Sequence, residues 1–292
     1  MVRTIRPRRS VLYMPGSNPR AMAKGRTLPA DGLILDLEDA VAPDAKVEAR
    51  ARVVETVREG GFGHREIFIR INGLGTPWGY EDLVAVANSG ADGVLLPKVA
   101  SADTVRQAET ILVASGAPES LAIWCMIETP MGVLNAKEIA AASARLVGFV
   151  MGTSDLAKDL RAAHTRERLP LITGLGWCLM VARAFGLAIL DGVHLDLNDD
   201  EGFAYSCERG AELGFDGKTL VHPKTIALAN TTFAHSVEEI AFAHRIIEAH
   251  ALAIAEKKGL VVLDGRLIEN LHVEQARHLV ALDKAIKAMA AS

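Results

Sequence analysis

The chain has few cysteines, no long apolar run and no excess of basic charge, and each shortage removes a class of protein. Its three cysteines, Cys125, Cys178 and Cys207, are odd in number and make no CxxC pair. Neither a disulfide framework nor a structural zinc is expected, which suits a reducing cytoplasm. No apolar run approaches the roughly 20 residues that cross a bilayer. The run after the basic N-terminus MVRTIRPRRS, VLYMP, is too short for the apolar part of a signal peptide, so neither export nor membrane insertion is expected. The formal net charge is −4, from 32 basic and 36 acidic residues. That charge is mixed along the chain and offers no basic face to nucleic acid. The nine histidines include no HxxxH spacing, and none is assigned a metal or catalytic role. No internal repeat and no low-complexity segment appears.

What is present is alternation. The 292 residues, 50% hydrophobic, suffice for one large α/β barrel plus a small appendage. Eight short apolar runs read as strands: Ser10–Met14, Gly32–Leu37, Ile67–Ile71, Gly93–Pro97, Ala122–Ile127, Val147–Met151, Ala188–Val193 and Lys218–Val221. Helical stretches separate them, among them Val47–Glu59, Ala102–Ala114, Leu134–Ala144, Gly174–Phe185 and Glu201–Leu213. Eightfold strand–helix alternation predicts a (β/α)8 TIM barrel over residues 1–234. An open doubly wound sheet is the runner-up, disfavoured because no G-x-G-x-x-G follows the first strand. Beyond about residue 233 the pattern changes to a C-terminal helical, lid-like extension, residues 235–292. It comprises a long helix over Ser236–Lys258 with a Ser236/Glu239 capping box, an apolar stretch with a DG turn signal, and a last helix from about Val273.

Charge stands where the strands stop. LILDLED delivers Glu38, IFIRING delivers Arg70, VLLPK delivers Lys98, IWCMIETP delivers Glu128, and LVGFVMGTSD delivers Asp155. Strand alternation puts Ile34, Asp36 and Glu38 on one face, Arg70 and Asn72 on one face, and Trp124, Met126 and Glu128 on one face. The carboxyl ends of barrel strands are where active sites form, so an enzyme is expected. Glu128 and Asp155 are candidate metal ligands, and a site of carboxylates without Cys or clustered His suits Mg²⁺, with Mn²⁺ as a substitute. The alternative is that both acids cap the helices that follow. Arg70 either forms a buried pair with Glu38 or Asp36, or presents its fork to a carboxylate or enolate oxygen. Pro19 opens a helix after Ser17 or Asn18, with Arg20 and Lys24 one turn apart; phosphate binding and a solvated basic face both account for them. Trp78, in the loop GLGTPWGYED, either touches substrate or closes a turn.

The stretches RSVLYMPGSNPR, LDLEDAVAPDAK, IRINGLGTPWGYEDL, GVLLPK, IETPMGV, GTSDLAKDL and GKTLVHP, in this order, together resemble the citrate lyase β-subunit/HpcH–HpaI aldolase superfamily, specifically its acyl-CoA lyase branch. The resemblance covers nearly the whole barrel. It implies a Mg²⁺-dependent carbon–carbon lyase acting on a 3-hydroxyacyl-CoA such as malyl-, β-methylmalyl- or citramalyl-CoA, with an acyl-CoA and an α-keto acid as the small-molecule partners. Glu128 and Asp155 would then hold the metal. Arg70 would contact keto-acid and thioester oxygens. Glu38 and Asp39 would flank the metal through water, Glu38 being the one that alternation turns inward. Asp264 of DGRLIEN would be the general base, supplied by a neighbouring subunit of a homo-oligomer, a trimer or hexamer. The motif departs from the family form at Arg266 and Glu269. Lys98, Arg20 and Lys24 join Arg70 as substrate or CoA contacts. Three rivals stand beside the lyase: a malyl-CoA thioesterase on the same scaffold, a CoA-independent aldolase, and a citryl-thioester lyase subunit of a larger complex.

Overall fold

A computed structural model describes residues 5–256 and 261–290. Eight parallel strands close into a barrel in simple sequence order: β1 (Ser10–Pro15), β2 (Gly32–Asp36), β3 (Glu66–Arg70), β4 (Gly93–Leu96), β5 (Ala122–Ile127), β6 (Leu146–Met151), β7 (Ala188–Asp191) and β8 (Gly217–Leu220). β1 closes the ring against β8, with Val11 beside Thr219. Every predicted strand is present to within two residues of its expected start. The TIM barrel is therefore the fold.

The runs are apolar on both faces because both faces are buried. Leu33, Leu35 and Leu37 are fully buried on the outer side of β2, while Ile34 joins the barrel interior. That interior is a single cluster of Val11, Ile34, Phe68, Leu95, Trp124, Met126, Val150 and Leu190, so the barrel is filled and not a pore. Phe68 meets Trp124 edge-to-face at 5.1 Å. Beneath them the Arg8 guanidinium lies 5.0 Å from the Trp124 ring and is held by Glu66. Residues further along the inward faces of the same strands are polar, and they line the opposite end.

The helices differ from expectation in instructive places. The predicted helix Leu134–Ala144 is two short helices, Pro130–Leu134 and Ala136–Ala140. Thr129 caps the first through Gly132 N–H, and Pro130 supplies its first residue. Asn135 breaks the run, its side chain donating to Ala100 O at 2.8 Å. The predicted Gly174–Phe185 begins earlier, as Leu169–Ala184, because Pro170 opens a helix where its missing N–H is not needed. The helix Gly79–Ala87 begins inside the segment GLGTPWGYED read as a loop and runs on beyond it.

The backbone divides into two compact units. One is the barrel, Arg8–Asn230. The other takes in the chain from Thr231 onward with the N-terminal end. Within it the helix Val237–Ala255 starts at the predicted capping box, with both reciprocal hydrogen bonds formed between Ser236 and Glu239. The last residues of the stretch read as that helix, 257 and 258, lie outside the described residues. The DG signal is a hairpin turn joining β9 (Val261–Leu263) to β10 (Arg266–Ile268), with φ of 47° at Asp264 and 77° at Gly265. Two central residues at positive φ are what a tight hairpin turn of matching twist requires. The final helix runs Asn270–Ala290, three residues ahead of its predicted start.

Candidate active site

Five strand ends bring their charges together at one mouth of the barrel. Arg70, the last residue of β3, is the centre. Its Nε and Nη2 donate to the two oxygens of Asp36 at 2.7 and 2.6 Å, a bidentate pair that is almost wholly buried. Asp36 also accepts the backbone N–H groups of Glu38 and Ala40, at 2.9 and 3.1 Å. It therefore fixes both the arginine and the turn that carries Glu38. Arg70 keeps one edge free of that pair. Its Nη1 lies 3.2 Å from Glu38 Oε2 and 3.6 Å from Asp39, and its guanidinium sits 4.8 Å over the Tyr13 ring. The buried pair expected of Arg70 is made with Asp36, while Nη1 is left to Glu38, Asp39 and Met126, donating to the Met126 Sδ at 3.6 Å.

The turn after β2 is strapped from outside. Buried Lys46 donates to the carbonyls of Leu37 and Glu38, at 3.0 and 2.8 Å, with its ammonium 5.3 Å from the centre of the Trp78 ring. Asn72 donates to Leu37 O at 2.9 Å, and Asp82 takes up both Asn72 and Arg50. Trp78 therefore serves as a wall for Lys46. Glu38 is buried and its neighbour Asp39 is 61% exposed, as the alternation of the strand required.

Lys98 follows β4 with a positive φ of 50°. Its N–H donates to Glu128 Oε1 at 2.7 Å and its ammonium reaches Glu38 Oε1 at 2.5 Å. The same ammonium lies 3.8 Å from Asp39 and 3.9 Å from Asp155. Glu128 directly follows β5, is 2% exposed, and has no hydrogen-bond donor to its Oε2 among the described residues. Asp155 stands in the first turn of the helix Thr153–Asp159. Gly152 before it must be glycine. A Cβ there would lie 2.3 Å from Glu128 Cβ and 2.4 Å from its Oε2.

Pure capping is not what the two acids do. Thr129, not Glu128, caps the helix after β5, and the Thr153–Asp159 helix has no side-chain cap at all. Burial pushes the Glu128 carboxyl up to about 7, despite the Lys98 N–H that favours its ionised form. Burial also raises Glu38, against the pull of Arg70 and Lys98. Lys98 itself is held above its ordinary range by Glu38, which outweighs its own desolvation. The two ends of the Glu38–Lys98 contact thus answer to different forces, because Glu38 sits deeper. Burial pushes the Tyr13 phenol up as well. A buried carboxylate oxygen that takes no hydrogen bond, and a carboxyl pushed up by burial beside it, are what room for a further positive charge would produce. Glu38 Oε2 is such an atom, within ion-pair range of Arg70 but taking no hydrogen bond. Among the described residues no three acidic, histidine or cysteine side chains are gathered to ligate one ion. Two carboxylates with the remaining positions left to water and substrate oxygens suit Mg²⁺, so the residues present fit that ion.

Within the barrel, no hydrogen bond or ion pair among the described residues ties the predicted contacts Arg20 and Lys24 to this cluster. Arg20 and Lys24 are exposed on the helix Pro19–Gly25. Asp264 belongs to the second unit, half exposed at its hairpin turn, where Arg245 pairs with it at 2.7 Å and holds its carboxyl below the ordinary range. Sequence reasoning passed over Tyr13 and Lys46. Tyr13 shares the inward face of β1 with Val11, so alternation alone would have found it. Lys46 carries no such signal, reading as one more charge at a helix start.

Beside the charged cluster, at the same carboxyl end of the barrel, a cavity of about 450 Å³ is lined by Thr153 and Ser154, just before Asp155, and by His164, Arg166, His194 and Asp199, among others. Asp191, which accepts from Arg168 and Lys218, ties its floor together. Burial works against the Asp191 charge, but the two cations outweigh it and hold the carboxyl below its ordinary range. Acids and bases balance around this cavity.

Comparison with known proteins agrees with the barrel. The HpcH/HpaI aldolase/citrate lyase family matches residues 9–223. A (3S)-malyl-CoA thioesterase of Cereibacter sphaeroides (strain KD131) is 47% identical over 292 residues, covering all of both chains. An L-malyl-CoA/β-methylmalyl-CoA lyase of Cereibacter sphaeroides (strain ATCC 17029) is 33% identical, over 97% of this chain and 96% of the other. The crystal structure of CitE from Mycobacterium tuberculosis in complex with magnesium, acetoacetate and coenzyme A superposes with a TM-score of 0.74 at 30% identity, over 96% of this chain and 98% of that one.

Proposed function

The chain belongs to the HpcH/HpaI aldolase/citrate lyase family, and from that premise we propose that it is a Mg²⁺-dependent carbon–carbon lyase. It cleaves, reversibly, a malyl-type 3-hydroxyacyl-CoA into an acyl-CoA and an α-keto acid. The observation that carries this is the convergence of Glu38, Arg70, Lys98, Glu128 and Asp155 on one barrel mouth.

Glu128 and Asp155 would hold the ion, Mg²⁺ or in its place Mn²⁺. When bound, it supplies a Lewis acid and a template for the substrate's carboxylate and hydroxyl oxygens. The protein's own groups do the rest. Arg70 is preset by Asp36, so its Nη1 edge is available to the thioester oxygen as negative charge develops there. A donor already oriented loses no freedom at that moment, which is why the Asp36 pair supports function despite bringing little net stability. Glu38, with a raised carboxyl and an Oε2 that takes no hydrogen bond, is the barrel's own acceptor for the hydroxyl proton. In the condensation direction Asp264 of another copy takes the α-proton of the acyl-CoA. It must leave Arg245 and enter a drier setting to be basic enough. Arg20 and Lys24 serve the CoA phosphates.

Hydrolysis is the second reading, favoured by the 47% identity to a malyl-CoA thioesterase. There water attacks the thioester carbonyl of the same substrate. The deciding experiment gives purified protein malyl-CoA and citramalyl-CoA, with Mg²⁺ or with EDTA, and follows keto acid and free thiol together. Metal-dependent keto acid without thiol supports the lyase. Thiol with free malate or citramalate establishes the hydrolase. No turnover of either would sink both.

A further inference from the structure

One side chain is in contact with nearly every acid of the mouth. Lys98 reaches Glu38, Asp39 and Asp155 with its ammonium and Glu128 with its N–H. It does so from a left-handed backbone, one of four non-glycine residues at positive φ among those described. For a side chain with a Cβ that conformation is unfavourable and persists only when surrounding contacts hold it. Here they do. The strained turn points the N–H of Lys98 back to β5 and its side chain across to the turn after β2.

The charges at the mouth explain why. Glu38, Asp39, Glu128 and Asp155 are four acids. The nearest arginine, Arg70, already gives two of its nitrogens to Asp36. Arg70 Nη1 reaches Glu38 and Asp39, and Lys158, on the exposed side, lies 3.8 Å from Asp155, but among the described residues Lys98 is the cation in contact with all four acids. Its two attachments differ in mobility. The backbone N–H is locked to buried Glu128, whereas the side chain is 45% exposed and carries several rotatable bonds. The ammonium can leave without disturbing Glu128.

We propose that Lys98 is a resident competitor for the divalent cation. Its ammonium neutralises the acids of the metal-free mouth. It must withdraw from Asp155 when a cation arrives, and it is then free to pair with the carboxylate of a keto- or hydroxy-acid. Metal and anionic substrate thereby bind synergistically. The metal pushes the ammonium out, since like charges repel at this spacing, and the substrate gives it a partner. Lys98 is in this account a positioning residue, and the inference rests on the proposed metal role of Glu128 and Asp155.

The sign of the effect separates this from a merely structural role. If Lys98 only braced the acids, removing it would loosen them and weaken metal binding. As a competitor, its removal strengthens binding. Mn²⁺ affinity is measured by electron paramagnetic resonance on the full chain without turnover, for the parent, Lys98→Met, Lys98→Gly and Lys98→Arg. Both variants keep the N–H to Glu128; methionine retains the stem and the strained φ, glycine relieves that strain, and an effect common to the two therefore reads the ammonium. Lys98→Gly and Lys98→Met are expected to bind Mn²⁺ at least tenfold more tightly. Lys98→Arg should stay near the parent. Added pyruvate should tighten Mn²⁺ binding in the parent and do so less in the glycine variant. Unchanged or weaker Mn²⁺ binding in both neutral variants overturns the competitor role while leaving the metal site standing. Absence of Mn²⁺ binding in every protein overturns the metal site and the inference together.

Discussion

Replacing Glu128 with glutamine should make the metal-free protein more stable and the enzyme useless. Glu128 is 2% exposed, and burial moves its carboxyl from the ordinary 4.5 to about 7. In the unfolded chain the group loses its proton near its ordinary value; in the folded chain it keeps it until about pH 7. Between those limits the native state binds more protons, so stability falls as pH rises and levels off above 7. Each tenfold change is worth about 1.4 kcal/mol, so the ionised carboxylate costs the folded chain about 3 kcal/mol at pH 8. Glutamine carries no such charge, and its Oε1 can still accept the Lys98 N–H. For a chain of this size, about 3 kcal/mol corresponds to roughly 5–10 °C in Tm. Thermal unfolding in EDTA at pH 8 should show E128Q above the parent by that order, with the gap closing as pH is lowered toward 4.5. Saturating Mg²⁺ should stabilise the parent and not the variant, since only a state that binds ligand is stabilised by it. A variant that is less stable than the parent at pH 8 in EDTA, or a gap that does not close in acid, refutes the reasoning.

Gly152→Ala drives a methyl group to 2.3 Å from Glu128 Cβ; Mg²⁺ affinity should drop at least tenfold with the circular dichroism spectrum unchanged, and unaltered calorimetric affinity would show that the glycine is incidental. Asp36→Ala removes the bidentate partner of buried Arg70 and leaves its Nε and Nη2 without an acceptor, which should cost about 3–5 kcal/mol; a loss below about 1 kcal/mol would mean that Glu38, already 3.2 Å from Nη1, takes over the pair. Asp264→Asn and Arg70→Ala should each be inactive, yet regain part of the activity when their subunits are exchanged. Verified exchange without any return of activity would rule out a base supplied by another copy.

The barrel was legible because its strands are buried on both faces and so stand out as uninterrupted apolar runs between polar helices. The mouth was legible for the same reason, since Glu38, Arg70 and Glu128 break those runs where β2, β3 and β5 end. Contacts made off the strands were not legible. Nothing in GVLLPK says that Lys98 takes a left-handed turn and touches two glutamates, because that conformation follows from partners 30 and 60 residues away. Lys46 is equally silent, its burial depending on Trp78 and on two carbonyls across a turn. The break at Asn135 escaped for a related reason. Its alanine-rich surroundings favour helix, and only a tertiary hydrogen bond to Ala100 ends the run.

The lyase and the hydrolase share more chemistry than their names suggest. In carbon–carbon cleavage the departing acyl-CoA becomes an enolate, with its charge on the thioester oxygen. In hydrolysis water adds to the thioester carbon, and the charge appears on the same oxygen. A donor placed for one is placed for the other, so on the proposed reading the Nη1 edge of Arg70, preset by Asp36, would serve both. Arg70→Lys keeps the charge but loses the fork that Asp36 orients; it should therefore depress both activities by similar factors and leave their ratio unchanged. What sets that ratio is whether water stands beside the carbonyl carbon, a matter of how dry the mouth becomes once substrate is bound. If Arg70→Lys instead altered the ratio of keto acid to free thiol by more than tenfold, the two reactions would not share this oxygen's donor, and one of them would use a site elsewhere on the barrel.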